Sequence, residues 1–309
     1  MKMNYTKFIT LLVCLNATTQ VLAQQEEQLS TYFFNPLVMN PAYAGSQKSL
    51  MINATVRDQW TNFKGAPKTQ VLTLHTPLKK DNFGIGFTFV NDKIGAHSNK
   101  SLALDVSYNV RLNKKNHRLA FGIKPTVDIY QTNFSNAKVQ DNTDGVFMDN
   151  YNYSKALPNI GAGMYYYGER FYIGLSSPKI IKNEVNLQSG QKALQENHFY
   201  FFGGTVLKLN SMVDMRPSFI VKYVNNAPLA IDGNLSFLIL NKVWIGAMYR
   251  YNSAIGLNAM YYLTEHLNVG YAYDYGLNAI QKYSVGSHEI MLSYKFKSKS
   301  KGYMSPRYF

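Results

Sequence analysis

The sequence predicts an all-β fold, a transmembrane antiparallel β-barrel of about fourteen strands with both termini on the periplasmic side. Three observations carry this expectation. Apolar residues recur with period two over stretches of about ten residues, the length a tilted strand needs to cross a bilayer, whereas an ordinary sandwich strand runs to about five or six. Connectors sort by length, short ones at one end of the strands and every long one at the other. Charged side chains keep to one parity of the alternation, and an isolated Lys or Arg on a lipid face would cost about 2–4 kcal/mol at the midplane. Composition agrees. Aromatic residues make up 14% of the chain and charged residues only 16%, against about a quarter in soluble domains. That balance suits strands with one apolar and one watery face.

Residues 1–23 read as a secretory signal. Lys2 and Lys7 form the basic start, residues 8–15 the apolar core, and Val21, Leu22 and Ala23 the cleavage site. Cys14, the only cysteine, lies inside that apolar core and follows Val13, which argues against lipid attachment and leaves the mature chain without disulfides. Residues 24–49 form a periplasmic lead-in or plug. Within them Asn35-Pro36 and Asn40-Pro41 stiffen the backbone and remove two donors, and the segment closes on Tyr43, Ala44 and Gly45.

The barrel spans residues 50–296. Leu50, Ile52, Ala54 and Val56 open it, and Leu72 and Leu74 return as the first hairpin. Phe83, Ile85, Phe87 and Phe89 follow. The cleanest strand places Leu102, Leu104, Val106, Tyr108 and Val110 on one face, and Ser101, Ala103, Asp105, Ser107, Asn109 and Arg111 on the other. Further strands fall at 119–129, 158–168, 169–177, 196–209, 214–225, 229–240, 242–252, 254–263, 267–275 and 285–296. The expected short connectors are 79–82, 113–117, 168–169, 210–213, 241–242 and 264–266. The expected long ones are 61–68, 91–99, 133–157, 178–195 and 276–284. Residues 297–309 form a basic periplasmic tail. The inward parity collects Arg57, Asp105, Arg111, Lys124, Asp128, Lys222, Asp232, Arg250, Asp274 and Glu289 as candidate lumen charges. Mixed signs on one face suit a paired, watery interior.

No catalytic constellation emerges. The six histidines are scattered without zinc-protease spacing. His75 and His288 are assigned to inward faces as lumen hydrogen-bonders. Residues 141–145 are acidic but miss EF-hand spacing. The expectation is a non-enzyme with no cofactor and no metal. The formal net charge of +14 suits anionic headgroups of outer-membrane lipid or an acidic partner rather than nucleic acid, for which an exported barrel offers no stacking platform.

The chain resembles the PorP/SprF family of type IX secretion system membrane proteins. The resemblance rests on Asn40, Pro41, Ala42, Tyr43, Ala44 and Gly45, on Arg57, Asp58, Gln59 and Trp60, and on Gly65, Ala66, Pro67, Lys68 and Thr69. It continues through Gly84, Ile85 and Gly86, through residues 91–95, and into residues 287–290 and 305–309. It implies an integral outer-membrane barrel of Bacteroidota-type bacteria that works in type IX secretion and, in some members, gliding motility. Its implied partners are periplasmic secretion-ring components, a large secreted surface protein such as an adhesin, or both. Asn35, Pro36, Asn40, Pro41, Tyr43, Gly45, Arg57, Gln59, Trp60, Gly65 and Pro67 are the candidate interaction or plug residues. The alternative expectation is an outer-membrane channel or transporter for small solutes, which the inward charges permit.

Overall fold

The computed structural model describes residues 26–78, 82–112, 117–133, 152–186, 192–225 and 227–297. The strands are β1 (Met51–Asp58), β2 (Lys68–Pro77), β3 (Phe83–Ile94), β4 (His97–Arg111), β5 (Arg118–Asn133), β6 (Asn152–Tyr167) and β7 (Phe171–Ser177). A small hairpin, β8 (Glu184–Asn186) and β9 (Lys192–Leu194), interrupts the series. It resumes with β10 (His198–Thr205), β11 (Leu207–Lys208), β12 (Val213–Val224), β13 (Ala230–Ile239), β14 (Val243–Arg250), β15 (Ala254–Tyr262), β16 (Leu267–Gly276) and β17 (Ser287–Lys295).

Fourteen of these strands close an antiparallel barrel. Each pairs with its sequence neighbours, β1 pairs with β17, and β10 joins β7 to β12. The two-residue β11 carries the line of β10 further along β12. Closure leaves no edge strand, so the backbone polar groups of the wall find partners within the wall, the condition for crossing an apolar medium with strands. No helix among the described residues is long and apolar enough to cross a membrane.

The register follows the hydrophobic alternation. Opposite β1 and β17, Val56 meets Ile290 on the outer face while Arg57 meets Glu289 on the inner. Leu102, Leu104 and Tyr108 of β4 are exposed outward, whereas Ser101, Ala103, Asp105, Ser107 and Asn109 are buried inside. A one-residue slip would send every charge outward, so the apolar surroundings enforce this pairing.

The polar stretches depart from the expected boundaries. Residues 91–99 are a tight hairpin and not a long loop. Asp92 pairs with Asn99 and Ile94 with His97, and Gly95, at φ +58°, turns the chain. Residues 152–157 likewise continue β6, paired to β5 as far as Asn133 and Asn152. Ladder hydrogen bonds ask nothing of side-chain polarity, so a strand rising clear of the apolar layer loses its alternation and keeps its pairing. Residues 196–209 break at Val206 into β10 and β11.

The two mouths differ. One holds the short connections 168–170, 240–242 and 263–266; the other holds the longer 59–67 and 277–286, the described ends of the connection between β7 and β10, and tight turns such as 95–96. The described chain ends lie at opposite mouths. Phe296 donates its backbone N–H to Leu50 at the short-connection mouth, whereas Glu26 meets His198 and Lys179 at the long-connection mouth. The signal, the region around Asp141 and the tail beyond residue 297 fall outside the described residues.

Candidate functional site

The inside of the barrel is occupied by the chain's own residues 26–50. Both Asn-Pro steps open single 3-10 turns, Pro36–Val38 and Pro41–Tyr43. Proline at the first helical position presets φ and wastes no donor. Asn40 caps the second turn by accepting from the Ala42 N–H at 2.9 Å, and it donates Nδ2 to the Met164 carbonyl at 2.9 Å. The resulting compact, irregular thread is buried almost throughout: Phe33, Leu37, Ala42, Tyr43 and Ala44 are 0–2% exposed.

Inward glycines make the room. A Cβ at Gly84 would lie 2.1 Å from the Ala44 oxygen, one at Gly122 2.3 Å from the Ala42 nitrogen, and one at Gly163 2.1 Å from Asn40 Oδ1. At Gly84 and Gly122 the close neighbour is backbone, which cannot step aside, and at Gly163 it is the Asn40 side chain, so the wall is bare where the thread lies against it. The wall also donates to the thread's carbonyls. Lys124 Nζ reaches the Leu37 oxygen at 3.2 Å and Ser107 Oγ the Ala44 oxygen at 2.6 Å. In return Gly45, at φ +69°, gives its N–H to His75 Nδ1 at 3.2 Å.

Charge is paired in three groups. Arg57 holds Asp274 at 2.8 Å and Glu289 at 3.0 Å. Ser30 and Thr31 of the thread bond to the same two carboxylates. Arg250, 3.8 Å from Asp274, extends this group to Asp232, which lies 3.1 Å from Arg250 and 3.4 Å from Lys222. Lys124 pairs with Asp105 at 2.9 Å. At the long-connection mouth Lys179 lies between Asp128, at 3.1 Å, and Glu26, at 3.5 Å. Burial pulls the Lys179 ammonium down, but Glu26, Asp128 and Glu27 outweigh it and raise its pKa. Glu27 is pushed up to about 7, chiefly by burial and further by Glu26 and Asp92, against the pull of Lys179. Removing one partner from a buried pair strands a charge, which is why these groups interlock.

Arg216 is held differently. Its guanidinium stacks 4.3 Å from the Trp244 ring centroid, 4.7 Å from Phe34 and 5.0 Å from Phe33, an arrangement in which ring faces stabilise the cation. A cavity of about 40 Å3 remains between thread and wall, bordered by Glu27, Met39, Lys124 and Lys179. It has room for water and not for a solute. Among the described residues no His, Cys, Asp and Glu group of metal-binding size comes together.

The structure brings Asn35, Pro36, Asn40, Pro41, Tyr43 and Gly45 into the lumen. Asn35 Nδ2 donates to Thr73 at 3.0 Å. It likewise collects Arg57, Asp105, Lys124, Asp128, Lys222, Asp232, Arg250, Asp274 and Glu289 on the inner face. Arg111 ends β4 at the short-connection mouth and is exposed there. Gln59, Trp60, Gly65 and Pro67 lie apart in the β1–β2 connection. Trp60 has φ +52° and donates its N–H to Ser287 Oγ at 3.1 Å, and Gly65 accepts from Gly95 at 3.0 Å. His288 faces outward, against expectation, and bonds the Tyr271 hydroxyl at 2.6 Å. As the sequence neighbour of inward Glu289 it takes the opposite face. The sequence reading missed Arg216, Lys179, Ser30 and the role of the glycines. Glycine on the inward parity of long strands was the available signal.

Fold and lumen together define a membrane β-barrel whose passage is filled by its own amino-proximal segment. The sequence matches the model of the type IX secretion system membrane protein PorP/SprF over residues 21–294, and the chain belongs to that family. No curated protein matches it significantly. Similar solved structures include Acinetobacter baumannii Omp33, at 10% identity and TM-score 0.44, covering 82% of this chain and 100% of that one. The CymD monoaromatic hydrocarbon channel is 10% identical at TM-score 0.49, covering 84% and 92%. A Pseudomonas aeruginosa FadL homologue is 11% identical at TM-score 0.49, covering 86% and 94%.

Proposed function

We propose that this chain is a non-enzymatic, integral outer-membrane component of the type IX protein secretion system, supporting secretion or surface attachment of partner proteins such as gliding adhesins. Family membership over residues 21–294 carries the secretion assignment. The filled lumen, with Leu37, Asn40, Ala42 and Ala44 wholly enclosed, supports a machine component in preference to a standing channel. In this reading residues 24–49 are a plug, the apolar outer face sits in lipid, the short connections face the periplasm and the long ones face outward. Its partners are periplasmic secretion-ring components, a large secreted surface protein, or both, and it needs no cofactor.

Affinity capture of the tagged protein from outer membranes in mild detergent, followed by mass spectrometry, tests this. Secretion-ring components or one large surface protein should accompany it. A barrel isolated alone that passes small solutes in liposomes would replace this reading with that of a channel.

A further inference from the structure

The thread is fixed covalently at one mouth and held non-covalently at the other. It joins β1 beside Phe296 at the short-connection mouth. At the opposite mouth Glu26 is gripped by wall and loop. Lys179 Nζ lies 3.5 Å from Glu26 Oε1 and 3.1 Å from Asp128 Oδ2. The Tyr200 hydroxyl donates to Glu26 Oε2 at 3.0 Å. The Glu26 N–H points at His198 Nε2 at 3.4 Å.

Lys179 is itself locked in place. It is 7% exposed, although it belongs to a connection and not to a strand. Asn159 Oδ1 accepts the N–H groups of Ile180 and Ile181, both at 2.9 Å. Inward Gly161 leaves room for the Pro178 carbonyl, which a Cβ would approach to 2.2 Å. Gln195 bonds Asp128 at 3.0 Å from the far end of the same connection.

A thread tethered at one end can leave a closed tube only through the mouth where it is tethered. Retreat by that route must draw Glu26 away from Lys179, so the thread cannot leave while this contact holds. We infer that the Lys179 cluster is a latch: it holds the amino-proximal thread in the lumen, and its release opens the barrel by retreat of the thread toward the short-connection mouth. This rests on residues 24–49 acting as a plug.

The test uses the purified full-length chain in planar bilayers. Lys179→Met should raise the frequency of conductance events by about tenfold or more, since Glu26, Glu27 and Asp128 then face one another without a cation. Glu26→Gln, which leaves the Lys179–Asp128 pair intact, should act in the same direction and serves if the first variant misfolds. Leu29→Cys, at a buried position beside Val71 and Val90, should resist a membrane-impermeant maleimide in the parent background and react in the Lys179→Met background. If both latch variants stay silent and protected while a chain lacking residues 34–45 conducts, the latch is overturned and the plug stands. If the deleted chain is silent too, the plug reading falls and takes the latch with it.

Discussion

At Gly122 one methyl group decides whether the lumen has room for its thread. The Cβ of Gly122→Ala would lie 2.3 Å from the backbone nitrogen of Ala42, and backbone cannot step aside as a side chain does. The variant should still form a heat-modifiable barrel on gels, because the position is inside and the outer face is untouched, while its conductance rises above the parent's. Arg57→Met probes the charge group instead. It leaves Glu289 buried without a guanidinium and Asp274 with only Arg250, at 3.8 Å, a loss of about 3–5 kcal/mol that thermal unfolding should register. Glu27 supplies a pH dependence. Its carboxyl moves from 4.5 to about 7 when docked beside Lys179, Glu26 and Asp92. Docking thus favours the protonated form. The contribution is complete below 4.5 and is lost as pH rises through about 7. Conductance events should become more frequent across that window, and Glu27→Gln should flatten the profile.

At the scale of elements, the wall and the thread obey different rules, and only the wall was legible. Alternation in residues 101–112 places β4 with both faces assigned, because an apolar surround and a polar inside write their difference into every second residue. Where the surround stops being apolar, the signal stops as well. Thus Asn91, Asp92 and Lys93 read as loop although they pair with Lys100, Asn99 and Ser98. The Asn-Pro steps announced a rigid irregular segment. Its position was not readable, since nothing local distinguishes a segment packed against glycines from one packed beneath a barrel. Inward Gly84, Gly122 and Gly163 hold that information, spread over three strands that only the closed sheet brings around the thread. The β3–β4 turn offers a test at this scale. Gly95 sits at φ +58° with open space around it, so Gly95→Val meets backbone strain of about 1–2 kcal/mol and no clash. Barrel yield should fall modestly and conductance should stay at the parent level.

At the scale of the whole molecule, the barrel has a filled interior, an unbroken ring of ladders and described ends at opposite mouths. Its wall is uneven: β5 and β6 run for sixteen residues and β1 and β14 for eight, so one side stands taller toward the long connections. A tag placed in the turn Ala279–Tyr283, where no residue is buried, should leave conductance unchanged. The opposite placement of Glu26 and Phe296 also fixes an order of events during biogenesis. Once β1 has zipped to β17 and β10 to β12, residues 26–45 can reach their seat only by being fed in end first, so the seat is filled most readily while the sheet is still an open trough. A folded cargo fused ahead of Glu26 would remain on the side where synthesis delivers the chain. Such a fusion should yield a hollow, conducting barrel.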